Sequence, residues 1–162
     1  EIGRAVVVET SGDEDGVAGR VAALVRARLE ERRVRLVIDD DLPVVCGDRL
    51  RLVEVAQNLL ENAAKFVGDQ PSPVVRVGVR PGESGSASVL FVEDNGIGID
   101  PRFHEKVFGL FEKLDPRAEG SGVGLALVHR IVEVHGGRTW IESAGRGHGT
   151  TVCLTLPLPP PG

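Results

Sequence analysis

A chain of 162 residues suits one domain and can bury a core without disulfides or structural metals. With 41% hydrophobic and 27% charged residues it should be globular rather than disordered, and a net charge of −5 argues against a nucleic-acid or anionic-membrane surface. The two cysteines, Cys46 and Cys153, lack metal-ligand spacing and read as small, reduced core or near-core residues of a cytosolic protein. No apolar run approaches the roughly 18 residues of a membrane span, and no signal peptide is visible. With no methionine anywhere, the sequence is expected to be part of a longer cytoplasmic or membrane-anchored protein.

In chain order, AVVV (5–8) reads as a strand and 11–16 as a loop. Residues 17–33 have helical periodicity, with Val17, Val21, Leu24, Val25 and Leu29 on one face. RLVI (35–38) is a strand ended by Asp39–Asp41 and Pro43, and 48–66 is a helix with Asp48 as N-cap. VVRVGV (74–79) and SVLFVE (88–93) are two strands joined by a Gly/Ser turn. The segment 94–124 is rich in Gly, Pro and charge, with one short helix started by Asp100 and Pro101. A helix over 124–135 stops at Gly136-Gly137, and RTWIES (138–143) and TTVCLTL (150–156) form a hairpin across GRGHG. This pattern predicts a two-layer α/β domain over 1–157, followed by a Pro-rich tail at 158–162.

Two constellations carry chemistry. At about 100° per residue, Glu54, Asn58, Glu61, Asn62 and Lys65 fall on one side of the 48–66 helix, opposite Leu52, Val55, Ala56, Leu59, Ala63 and Phe66. A solvated face accounts for most such stripes. Asparagine, however, is a poor mid-helix residue. Asn58 and Asn62 stand one turn apart with Lys65 close by, which gathers hard oxygens and a cation as Mg²⁺ with phosphate requires.

The second constellation is three glycine-rich loops: DNGIGI (94–99), GSGVGLAL (120–127) and GRGHGTT (145–151). Any one alone is more often an ordinary turn. The middle one opens a helix, where backbone N–H groups attract phosphate. No Gly-Lys pair exists for a Walker loop, 120–124 is G-x-G-x-G rather than the dinucleotide pattern, and the protein-kinase catalytic motifs are missing.

The motifs resemble those of sensor histidine kinases. NLLENAAKF (58–66) looks like the N box, DNGIGI the G1 box, FGLFEKL (108–114) the F box, GSGVGLAL the G2 box and GHGTT (147–151) the final glycine motif, in order across 48–157. HGGRTWIES (135–143) is also typical, and FEKLDP is closest to phytochrome-like and PAS-linked members.

The resemblance implies the Bergerat ATP-binding fold shared with DNA gyrase, a mismatch-repair ATPase and a heat-shock chaperone. That fold is a mixed, mostly antiparallel sheet of about five strands with three main helices on one face.

By the same resemblance, ATP would lie between the helices, with Mg²⁺ on the Asn62 amide oxygen. Asn58 would face the phosphates and Lys65 would contact them. Phe66 would pack on adenine, whose amino group would donate to Asp94, and Gly96 and Gly98 would admit the base. Gly120, Gly122 and Gly124 would bring N–H groups to the phosphates, with Leu125 beside them. Phe108 and Phe111 would anchor a mobile lid at about 104–121, or belong to the core; Lys113 and Arg117 would be lid charges, reaching phosphate or solvent.

The family's acceptor histidine lies on a separate dimerisation domain, and a response regulator follows it. None of His104, His129, His135 and His148 has the acceptor's context, so each is read as a surface or packing histidine. ATP-hydrolysing relatives carry Glu where Asn58 stands, and an amide takes no proton from water. That favours phosphoryl transfer over hydrolysis. A regulatory ATP-binding module is the alternative reading, and a gyrase-type ATPase a more distant one.

Overall fold

A computed structural model describes residues 6–67, 71–82, 88–98, 124–143 and 147–157. The predicted short helix near Asp100, the 104–121 lid and the 158–162 tail lie outside them.

The elements run β1 (Val6–Glu9), α1 (Val17–Glu31), β2 (Arg35–Ile38), β3 (Val44–Gly47), α2 (Arg49–Lys65), β4 (Val74–Arg80), β5 (Val89–Asp94), α3 (Gly124–Val134), β6 (Thr139–Glu142) and β7 (Thr150–Thr155). Five strands form one sheet in the order β2-β4-β5-β7-β6. Only β2 and β4 run parallel, because α2 crosses between them. The other three pairings are antiparallel. The expected mixed sheet with three helices on one face is the architecture found.

β3 was not foreseen. It pairs antiparallel with β1 in a separate two-stranded sheet, Val7 opposite Cys46. Its four residues alternate between exposed Val44 and buried Val45, too short a pattern to stand out, and its partner lies more than thirty residues away in sequence.

The core lies between sheet and helices. Val75, Val92, Ile141, Val152 and Leu154 from the sheet meet Val21 and Val25 of α1, Leu52, Val55 and Leu59 of α2, and Val128, Ile131 and Val132 of α3. Two helix faces differ from the sequence reading. Leu24 is 56% exposed rather than in the α1 face. At about 100° per residue, Val17, Ala18, Val21, Val25 and Leu29 span an arc of roughly 120° that excludes it. On α2 the buried arc also takes in Leu60 and Ala64, each 1% exposed, because the central helix packs against both α1 and α3 as well as the sheet.

Among the described residues, no second layer of helices covers the opposite sheet face. Val89, Phe91, Cys153 and Trp140 cluster there. Arg76 binds both carboxylate oxygens of Asp39 and lies 5.2 Å over Phe91, and Arg80 pairs with Glu142.

Candidate functional site

Helix α2 is started by Asp48, whose Oδ1 accepts the N–H groups of Leu50 and Arg51 at 3.1 and 3.4 Å. All five residues of its polar stripe are half-buried, which is not the burial of a fully solvated face. Glu54 pairs with Arg51 at 2.9 Å, and Glu61 accepts from Gln57 at 3.1 Å. The Asn58 amide donates to the Glu54 carbonyl at 2.8 Å. Its Oδ1 is left facing the first residue of α3, where a Cβ on Gly124 would lie 3.1 Å away. That oxygen therefore meets the positive end of a helix dipole. The Asn62 amide has no hydrogen-bond partner among the described residues, and neither has the Lys65 ammonium.

Strand β5 ends at Asp94, which is 8% exposed and opposite the equally buried Thr150 of β7. Burial pushes its carboxyl up to about 6, against the backbone N–H bonds of Gly96 and Thr150. The Gly96 bond to Oδ1 is 2.8 Å. A concavity of about 400 Å³ opens beside this strand end, lined by Asp94, Asn95, Gly149 and Thr150 with Arg76 and Glu93 of the outer face.

The turn after Asp94 is fixed from two sides. Phe66, the half-buried C-cap of α2, accepts the Ile97 N–H at 2.9 Å. A Cβ on Gly96 would sit 1.9 Å from the same carbonyl oxygen. Gly96 is thus required by the approach of protein backbone, a reason the sequence did not disclose. Gly98 has φ +75°. The final glycine loop closes the other side: Gly149 donates to the Gly96 carbonyl at 3.2 Å and Gly147 to that of Ile97.

The described fold therefore groups the expected residues in two places. Phe66, Asp94, Gly96 and Gly98 meet at the end of α2, while Asn58, Gly124 and Leu125 meet at the head of α3. Asn62 and Lys65 lie on the stretch of α2 between them. Gly120, Gly122, Phe108, Phe111, Lys113, Arg117 and His104 fall outside the described residues.

His129 contacts Thr139 and Glu133, and His148 is exposed. Thr150, within GHGTT, had been given no role and is buried opposite Asp94, and His135, expected as a surface or packing histidine, is buried and accepts the Asp48 N–H.

This fold and its motifs define an ATP-binding α/β domain. Residues 47–160 match the family model "Histidine kinase-, DNA gyrase B-, and HSP90-like ATPase". The chain is 48% identical over 158 residues, 98% of its length, to the methanogenesis regulatory histidine kinase FilI of Methanothrix harundinacea, and covers 18% of that protein. It is 38% identical over 151 residues, 92% of its length, to the phytochrome-like protein Cph1 of Synechocystis, covering 20% of it. Among solved structures, the mycobacterial sensor histidine kinase MprB superposes with TM-score 0.78 at 28% identity, covering 98% of this chain and 99% of that one. The chain belongs to this ATPase family, as the catalytic ATP-binding domain of a sensor histidine kinase. It spans about a fifth of the length of FilI and of Cph1.

Proposed function

We propose that this domain positions Mg²⁺-ATP for transfer of the γ-phosphoryl group to a histidine on a dimerisation domain of the same full-length protein, from which a response regulator is then served. The observation that carries the reading is the buried carboxylate of Asp94 near one end of α2 together with the amide of Asn62 on α2, which has no hydrogen-bond partner among the described residues. The first suits an adenine amino group, and the second a metal on the phosphates.

The donor set fits Mg²⁺. Among the described residues no group of three His, Cys, Asp or Glu side chains gathers to hold a metal. Asn62 would supply a protein oxygen, with phosphate oxygens and water completing the shell. The ion would neutralise phosphate charge. Lys65 adds a cation at the helix end, and the N–H groups at the head of α3 would cradle the phosphates. Asp94 holds the base in place, and the Gly96 and Thr150 N–H groups hold Asp94.

Among the described residues, no unpaired carboxylate on this face of α2 offers a base for hydrolysis. The Asn58 amide is spent on the Glu54 carbonyl, and the carboxylates of Glu54 and Glu61 are engaged by Arg51 and Gln57. Incubation with radiolabelled ATP and the acceptor domain should label that domain in acid-labile form and leave this chain unlabelled. Release of inorganic phosphate without transfer, or stable label on His129, His135 or His148, would overturn the proposal.

A further inference from the structure

The imidazole of His135 is 5% exposed and lies just beyond the last turn of α3. Its Nδ1 stands 2.8 Å from the Ile131 carbonyl oxygen, which can only accept, so Nδ1 carries the proton. Nε2 is then an acceptor, and it takes the backbone N–H of Asp48 at 3.1 Å. Asp48 is the N-cap of α2. The ring is packed as well as bonded: a Cβ on Gly47 would fall 2.8 Å from its Cδ2.

The two helices are thereby joined at both ends of one shared length. From Asp48 to Asn58 is ten residues and from Gly124 to His135 eleven, each about 15–16 Å of helix. The start of α2 meets the tail of α3, and Asn58, midway along α2, meets the head of α3 at Gly124. Apolar packing of Leu125, Val128, Ile131 and Val132 lets a helix rock or slide, since it is non-directional. A hydrogen bond of defined geometry does not.

We infer that His135 is a positioning residue. By tying the tail of α3 to the α2 N-cap, it sets where the head of α3 stands against Asn58 and Asn62. The inference rests on the proposal that phosphates bind between those two places. It assigns no contact between His135 and nucleotide: the adenine pocket at Asp94 is built from β5, β7 and the end of α2, none of which the tie touches.

The test separates phosphate from base. His135→Leu keeps apolar bulk and removes the acceptor; His135→Gln offers an amide oxygen near Nε2. ATP affinity by calorimetry and adenosine affinity by NMR titration are measured on parent and variants, beside melting curves. Loss of one directional bond predicts ATP binding weakened about fivefold in His135→Leu, adenosine binding unchanged, and most of the loss recovered in His135→Gln. A folded His135→Leu protein that binds ATP like the parent overturns the inference, and so does an equal loss for ATP and adenosine. Should His135→Leu fail to fold, Gly47→Ala presses on the ring from the α2 side and must give the same split, or the inference fails. A parent that binds neither ATP nor adenosine would sink the nucleotide reading itself.

Discussion

The backbone N–H of Gly96 donates to Oδ1 of Asp94 at 2.8 Å, so the carboxylate that ends β5 is gripped by the turn it begins. Burial nonetheless dominates and raises its carboxyl from 3.8 to about 6. Between these values the folded chain holds a proton that the unfolded chain has released. Stability from this group therefore falls as pH rises through the window, by about 3 kcal/mol in all, and the cost is present in full above it. Nucleotide binding should respond with the opposite sign, because the ionised carboxylate accepts from the adenine amino group more strongly than the neutral acid does. We expect ATP affinity to fall as pH drops below about 6 while this group's penalty on stability disappears. Asp94→Asn should flatten both profiles and weaken the preference for ATP over GTP. Urea denaturation and ATP titration at pH 5 to 8 check the signs; parallel profiles would contradict the role.

Two glycines of the last loop separate backbone conformation from close approach. Gly147 and Gly149 have nearly equal φ values, +84° and +74°. A Cβ on Gly147 meets nothing within 4 Å among the described residues, whereas one on Gly149 would lie 2.2 Å from the Asp94 carbonyl oxygen. Gly147→Ala should cost only the left-handed penalty, about 1–2 kcal/mol. Gly149→Ala adds an overlap with rigid backbone and should cost several kcal/mol, about as much as Gly96→Ala. Melting curves of the three variants check the ranking; equal losses at 147 and 149 would refute it.

What the sequence disclosed follows from where each signal is local. The α2 stripe, the Asp48 cap, the Gly136 stop and the two hairpins are set by residues within a few positions of one another, and all are found. β3 escaped because its partner β1 is remote, and Leu24 because periodicity gives a face but not the width of what covers it. The Asp94 carboxylate was legible through its motif. Its elevated carboxyl was not, since burial there depends on β7 arriving with Thr150 from far along the chain. His135 was legible as a surface or packing histidine, but its partner was not, for the same reason: Asp48 is eighty-seven residues away.

Cys153 should be chemically silent in the folded chain. It is fully buried on the outer sheet face, and burial foremost, with Glu142 nearby, pushes its thiol up to about 12. Thiolate is the reactive form. Titration with a disulfide reagent at pH 8 should modify at most the half-buried Cys46 before unfolding and both cysteines after. Two rapid equivalents in native protein would mean that this sheet face opens readily.

Asn62 and Asn58 differ in what their amides already do, and that difference predicts different behaviour on truncation. Asn62 is half-buried on α2 with no hydrogen-bond partner among the described residues, so Asn62→Ala strands nothing and opens no core cavity. Alanine is also the better helix former by several tenths of a kcal/mol. The variant should melt at or slightly above the parent temperature yet lose the Mg²⁺ enhancement of ATP affinity. Asn58 bonds back to the Glu54 carbonyl and fills the space beside Gly124, so Asn58→Ala removes a contact between α2 and α3 and should cost about 1 kcal/mol. Asn58→Glu puts a carboxylate where hydrolysing relatives keep theirs. Its extra methylene must fit where Oδ1 already approaches Gly124 closely, so the gain in ATP hydrolysis should be small. Calorimetric titration of ATP with and without Mg²⁺, beside melting curves, measures all three. An Asn62→Ala protein that is folded and binds Mg²⁺-ATP like the parent would return the α2 stripe to an ordinary solvated helix face.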